Sequence, residues 1–345
     1  MCIRDRAIGA LFNAFMIQTG PKNSILDVRG LSIGQAHDAA VNTGVTVLMP
    51  DAPATCSVAV SGGGPGTREI SALQDGGLIE QVHAIVLSGG SVYGLAAADG
   101  VCAWLGAQGR GYAASPNPAV PVSPIVPSAI LFDNANAGNK SWGLEPPYRA
   151  LALDACNSIC GHLNEGNYGA GFGATAGLYA GGIGTASEVI GGITVGALIA
   201  ANPVGSPFMP GTDCPWAWAY EVDGEFGGAR PPQDYALSPA QDTKLAVLKA
   251  LQNQAGQSTV IGAVAVDAKL SQKQLKRLAI MAQDGLAMSV QPSHTPLDGD
   301  TMFALSTGDR PCETPVDLAV LGAAAARCVA RALTRGVVKA QQKNA

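Results

Sequence analysis

Ser258-Thr259-Val-Ile-Gly-Ala-Val-Ala-Val-Asp267 places two hydroxyl residues directly before an unbroken run of small and β-branched apolar side chains. A run with no polar alternation reads as a strand covered on both faces. The residues just upstream, Asn253-Gln-Ala-Gly-Gln257, are polar and turn-forming, so an ordered strand begins where a linker ends. Moving outward, Ser271 caps a helix whose Leu275, Leu278, Ala282 and Leu286 share one face. A strand over 302–306 and an alanine-rich closing helix over 315–335 follow. On the upstream side, 193–201 is a second fully buried strand, and 44–49, 57–61 and 83–87 are strands bounded by Gly or Pro. Helices are predicted over 91–105 and 147–163, a proline-rich loop over 116–127, and a short helix over 239–251 within the weakly patterned 203–257. Buried strands flanked by helices on both sides in sequence predict one layered α/β domain over 24–345.

Composition supports a large core. Of 345 residues 47% are hydrophobic and 14% charged, with mean hydropathy +0.20. The 44 glycines are scattered between apolar runs, as tight turns joining buried segments require. A net charge of −5 without Lys/Arg clusters leaves no basic face, so no nucleic-acid partner is expected. No run of 18 apolar residues predicts a membrane span. The eight cysteines contain no CxxC, and free core thiols in a reducing compartment are the expectation, with Cys156 and Cys160 at i, i+4 on one helix. Residues 1–23 are expected to lie outside the domain: Arg4 and Arg6 before the apolar 7–17 look like a signal segment, whereas Met1-Cys-Ile-Arg-Asp-Arg6 resembles a translated sequencing adapter. The location is accordingly cytoplasmic, or periplasmic if the signal segment is genuine.

Among the familiar catalytic patterns, HExxH, Walker A and GxGxxG are missing. His37, His83, His162 and His294 lack ligand spacing, which disfavours a histidine triad or a zinc site, and no cofactor or metal is expected. A hydrolase built from these residues needs another base. A cut before a Ser or Thr supplies one, because it frees an α-amine of pKa about 7.7–8.0 beside the hydroxyl. Ser258-Thr259, at the junction of linker and strand, meets that requirement.

The segments 259–268, 270–279 and His294-Thr-Pro-Leu-Asp-Gly-Asp-Thr301 resemble the autoprocessed peptidase family that contains the DmpA aminopeptidase, β-aminopeptidases and nylon-oligomer hydrolases. So do Ser61-Gly-Gly-Gly-Pro-Gly-Thr-Arg68, Leu87-Ser-Gly-Gly-Ser-Val-Tyr-Gly94, Gly169-Ala-Gly-Phe-Gly-Ala-Thr-Ala-Gly177 and Gly182-Ile-Gly-Thr-Ala-Ser187. The resemblance covers 24–335. It implies an αββα sandwich of the DmpA and ornithine acetyltransferase type, an N-terminal-nucleophile hydrolase cut into 1–258 and 259–345, and a homotetramer of cleaved heterodimers.

It also implies roles. Thr259, eight residues before Asp267, takes the nucleophile's register, and Ser258 falls one residue outside it. Asp298 and Asp300 match an acidic pair contacting the nucleophile's amine and hydroxyl, and Asn202 matches an amide donor to the oxyanion. Gly63, Gly64, Ser88, Gly89 and Gly90 either line the substrate cleft or serve packing alone. Three positions depart from the pattern: Leu178 stands where many relatives have lysine, Phe132 where some have tyrosine, and Ser258 where Asn or Gly is usual. The expected activity is hydrolysis of short peptides, D- or β-amino acid amides, or ω-amino acid oligomers. An acyltransferase, since an acyl-threonine can be taken by an amine, and an uncleaved non-catalytic homologue are the alternatives.

Overall fold

The computed structural model describes residues 17–74, 76–236, 242–250 and 258–342. In chain order its strands are β1 Leu31–Asp38, β2 Thr43–Pro50, β3 Ala54–Val60, β4 Thr67–Arg68, β5 Gln81–Val82, β6 Ile85–Ser88 and β7 Ser128–Ile130. They continue as β8 Thr175–Ala176, β9 Tyr179–Ala180, β10 Gly182–Ile190, β11 Ile193–Asn202, β12 Thr259–Lys269 and β13 Thr301–Pro311. The α-helices are α1 Ala97–Ala107, α2 Tyr148–Asn157, α3 Lys244–Ala250, α4 Gln272–Ser289 and α5 Pro315–Gln342.

The run at 259–269 forms the middle of a six-stranded sheet ordered β10-β11-β12-β13-β3-β5, and a five-stranded sheet ordered β1-β2-β6-β7-β4 lies against it. Because successive side chains of a strand point to opposite faces, β12 divides its apolar residues between two cores. Ile261, Ala263 and Ala265 join Phe303 and Leu305 in meeting Ile33, Leu48, Ile85 and Leu87 of the opposing sheet. Val260, Val264 and Val266 face the other way, onto Leu275, Leu278 and Ala282 of α4 and Val329 and Leu333 of α5. Helices α1 and α2 cover the outer face of the five-stranded sheet through Val101, Leu105, Leu151 and Ala152. The layers therefore run α, β, β, α, as the resemblance implies.

The Ser271 cap forms as a reciprocal pair: Ser271 Oγ accepts from Gln274 N at 3.3 Å and Gln274 Oε1 accepts from Ser271 N at 2.9 Å. Other boundaries differ from expectation. The helix expected over 91–105 opens as a 3₁₀ turn, Ser91–Ala96, before α1. Helix α2 ends at Asn157, well short of 163, because Cys160 leaves it to exchange backbone hydrogen bonds with Ile33 of β1, at 3.0 and 3.2 Å. Cys156 and Cys160 therefore do not share a helix, and the seven described cysteines are all free. Of the helix expected over 239–251, Lys244–Ala250 form α3, 242–243 precede it as a bend, and 239–241 and 251 lie outside the described residues.

Strands β1 and β10 were not anticipated. β10 is rich in small residues because α5 lies on its backbone: a Cβ at Gly184 would come within 2.1 Å of Ala332 O. Residues 17–23 belong with the domain instead of the N-terminal extension. Gln18 O accepts from Val189 N at 2.7 Å, Gly20 N donates to Ser187 Oγ at 3.0 Å, and Asn23 Oδ1 accepts from Arg331 Nη2 at 2.8 Å. The expectations for 1–16 lie outside the described residues. Arg331 is 0% exposed and is neutralised by Glu225 at 2.6 Å. A charge taken wholly out of water is tolerated only when paired in this way.

Candidate active site

Three strand ends meet at one place. Asn202, the last residue of β11, is the antiparallel partner of Thr259, the first of β12. Strand β13 runs parallel to β12 with Thr301 opposite Ile261, which brings the preceding Asp298-Gly299-Asp300 turn beside Ser258 and Thr259. Asn202, Ser258, Thr259, Asp298 and Asp300 are each at most 3% exposed, so the uncut site is closed to solvent.

The Ser258–Thr259 peptide sits at the centre. The Thr259 hydroxyl donates to the Ser258 carbonyl oxygen, which also accepts from Gly299 N at 2.9 Å. Position 299 must be glycine here, since a Cβ would lie 2.7 Å from Gly64 O and 2.8 Å from Thr259 Oγ. Gly299 was not foreseen as a donor. Its glycine in the DGD motif was a visible signal, but only the turn's placement reveals where the N–H points.

The acidic pair lies beside Thr259 but binds its surroundings. Asp300 Oδ1 accepts from Val260 N at 2.8 Å, and Oδ2 from His294 Nδ1 at 2.7 Å and His294 N at 3.1 Å. Asp298 Oδ1 accepts from Val204 N at 3.0 Å, and Oδ2 from Thr295 N at 2.9 Å and Thr295 Oγ at 2.6 Å. The implied direct contact with the nucleophile's hydroxyl is not the arrangement of the uncut chain. Burial, reinforced by the neighbouring Asp300, raises the Asp298 pKa, and the hydrogen bond to Asp300 raises that of His294. His294 therefore serves this site as a partner of Asp300. Its left-handed backbone, φ 55°, is costly for a non-glycine and is held by the two hydrogen bonds to one carboxylate.

Asn202 is fixed on both sides of its amide. Nδ2 donates to Phe132 O at 2.9 Å, and Oδ1 accepts from Thr175 N at 2.9 Å. Phe132 thus contributes its carbonyl as an anchor, and Asn202 keeps a second amide hydrogen for another acceptor.

Lys244 of α3 completes the site and was not singled out from sequence. Its Nζ lies 3.1 Å from Ser258 Oγ and 3.3 Å from both Asn202 Oδ1 and Asn202 O. Burial lowers its pKa to about 7, against the opposing pull of Asp298. A single lysine in a poorly patterned stretch carries no motif, so nothing in the sequence distinguished it. The place where relatives have lysine, Leu178, is 56% exposed, and its N donates to Asp242 O at 3.2 Å, two residues before Lys244.

The glycine groups divide. Gly63 N donates to Thr295 O at 3.3 Å and Gly64 N to Asp298 O at 2.8 Å, so this loop braces the acidic turn. Ser88, Gly89 and Gly90 pack on the segment that anchors Asn202, around Asp133 next to Phe132: Gly90 N donates to Asp133 Oδ1 at 2.7 Å, Ser88 Oγ donates to Gly89 O at 3.0 Å, and a Cβ on Gly89 would meet Asp133 at 2.1 Å. A Cβ would meet Pro296 Cα at 2.7 Å on Gly63 and the Tyr148 ring at 2.0 Å on Gly90, whereas on Gly64 the nearest atom lies 3.7 Å away. Among the described residues there is no group of three or more His, Cys, Asp or Glu able to hold a metal, and no helix is long and apolar enough to cross a membrane.

This architecture is that of the N-terminal-nucleophile hydrolases. A solved L-aminopeptidase D-Ala-esterase/amidase from Ochrobactrum anthropi, described as a variant of that fold, superposes with TM-score 0.68 at 23% identity, covering 93% of this chain and 87% of that one. A Burkholderia β-aminopeptidase superposes with TM-score 0.67 at 23% identity over 93% and 88%. The family model described as peptidase family S58 matches residues 23–345, and the chain belongs to that family. An uncharacterized aminopeptidase of Mycobacterium tuberculosis is 40% identical over 92% of this chain and 94% of its own. A 6-aminohexanoate-oligomer endohydrolase of Paenarthrobacter ureafaciens is 29% identical over 84% and 77%. The protein is thus an enzyme that hydrolyses peptide or amide bonds.

Proposed function

We propose that Thr259 acts as nucleophile twice, first on the Ser258 carbonyl of its own chain and then, as a new N-terminus, on amide substrates. The observation that carries this is the convergence of the Thr259 hydroxyl and the Gly299 N–H on the Ser258 carbonyl oxygen inside a closed site. Attack by Oγ moves negative charge onto that oxygen, where the Gly299 N–H is already placed to receive it. The N-to-O shift gives an ester, and water separates 1–258 from 259–345. In the mature enzyme the free α-amine, of pKa about 7.7–8.0, takes the hydroxyl proton and returns it to the leaving amine. Asn202 supplies its remaining amide hydrogen to the substrate oxyanion, Asp300 holds the Val260 N–H of the strand that carries Thr259, and Asp298 holds the Val204 N–H just past Asn202.

A nucleophile that is 3% exposed cannot meet an external substrate, so the cut precedes turnover. The names of the relatives support short peptides, β-amino acid amides and ω-amino acid oligomers as substrates. The mature unit in this reading is a tetramer of cleaved heterodimers in the cytoplasm, a compartment that the free thiols suit. Denaturing electrophoresis and intact mass test the central claim. Wild type is expected to yield two fragments split at 258/259, and Thr259→Ala one band without activity on a panel of these amides. Persistence of full-length wild type after prolonged incubation, or cleavage of Thr259→Ala at the same bond, rejects it.

A further inference from the structure

The α-amine that serves the mature enzyme does not exist before the cut, when Thr259 N is an amide with no basic lone pair. Some other group must take the hydroxyl proton during maturation. The carboxylates are engaged: each oxygen of Asp298 and of Asp300 already accepts at least one hydrogen bond, and His294 Nδ1 is spent on Asp300. On the upstream side Asp242 accepts from Tyr179 OH.

Lys244 is differently placed. Its Nζ has three oxygen partners, the Asn202 carbonyl, Asn202 Oδ1 and Ser258 Oγ. A neutral amine has two hydrogens for the two Asn202 oxygens and one lone pair, and the Ser258 hydroxyl can donate into that lone pair. Ser258 is the residue whose carbonyl is attacked, and Asn202 is paired directly with Thr259. The backbone delivering the lysine is fixed, with Lys244 N donating to Val204 O at 3.0 Å beside the Val204 N–H held by Asp298.

We propose that Lys244 is the base of the maturation cut, supplied by the segment immediately upstream of the bond it helps to break. The inference rests on the Thr259 reading above. As the bond from Thr259 Oγ to the Ser258 carbonyl carbon forms, the hydroxyl proton passes to Lys244 Nζ, directly or through the Ser258 hydroxyl, and the carbonyl oxygen takes the charge against the Gly299 N–H. The bond from that carbon to Thr259 N then breaks while the Lys244 ammonium returns the proton to the leaving nitrogen. The lysine ends neutral, and the Ser258–Thr259 ester is left for water to hydrolyse into a carboxyl group and the free hydroxyl. Burial, which holds this amine near a pKa of about 7, keeps a large neutral fraction at physiological pH.

The test is cell-free synthesis with a pulse label, chased at fixed pH from 5.5 to 9 and read as full-length chain against fragments. Wild type is expected to cut with a rate that rises about tenfold per pH unit up to about 7 and then levels, as the neutral fraction of Lys244 does. Lys244→Met and Lys244→Arg should each cut roughly 100-fold more slowly at pH 7, and ethylamine should restore cutting to Lys244→Ala in proportion to its free-base concentration. Lys244→Met cutting within about threefold of wild type on the same pH profile overturns the proposal and leaves the Thr259 reading intact. Wild type that never cuts overturns both. Should the lysine variants fail to fold, His294→Gln decides from an intact lysine: a midpoint that stays near 7 supports Lys244, and a midpoint lost with the histidine overturns it.

Discussion

At the scale of single residues the site depends on who touches the Ser258 carbonyl. Gly299 is the clearest case, since its N–H lies 2.9 Å from that oxygen and the space of its missing side chain is filled by Thr259 Oγ and Gly64 O. Gly299→Ala must push the turn away from the scissile peptide. Loss of one oriented oxyanion donor costs about 10²–10³ in rate. We therefore expect the cut of Gly299→Ala to be slowed by about that factor in the pulse-chase measurement, with Thr259 still buried. A cut at wild-type rate would remove Gly299 from the oxyanion site. The contrast between Asp300 and Lys244 is instructive at the same scale. The aspartate stood in a patterned motif next to a strand, whereas the lysine stood alone in a stretch without periodicity, and only its folded position beside Asn202 and Ser258 gives it meaning.

Among elements, the closing helix α5 carries the largest unforeseen load. Arg331 reaches Glu225, the Ser187 carbonyl and Asn23, and Arg335 reaches Glu165 and the Asn23 carbonyl, so one helix ties β10 and the 17–23 segment together. Removing one partner of a buried ion pair strands the other charge, at a cost of about 3–5 kcal/mol. Arg331→Met should accordingly lower the stability of the uncut Thr259→Ala chain by about 3–5 kcal/mol in denaturant titration, with the loss reduced when Glu225→Gln is added. A loss in the double variant equal to the sum of the two single losses would mean that the pair is not coupled. From sequence, α5 was legible as a helix from its alanines, but nothing in its pattern marked Arg331 and Arg335 as buried. Strand β10 escaped notice for a related reason: its glycines answer to the α5 backbone, a neighbour more than 140 residues away along the chain.

For the molecule as a whole, the proposed cut in a closed site would make maturation a switch. Hydrolysis of an external amide should begin with a lag equal to the time course of the cut, so activity and fragment yield rise together after synthesis. Activity at full strength before any fragment appears would separate the two functions. The double-sided burial of β12 and the cap at Ser271 were readable in one dimension, because they follow from local spacing and from the period of side chains along a strand, whereas the register of Thr259 came from the resemblance. Resemblance extended that reading to the four layers and to Asn202, Asp298 and Asp300. What the tertiary structure alone decided is how these groups are connected: Asp300 holds the Val260 N–H and Asp298 the Val204 N–H, Gly299 aims its N–H at the Ser258 carbonyl, and Lys244 stands at the Ser258 hydroxyl. Those relations depend on distances and burial between segments far apart in the chain, and local pattern carries no record of either.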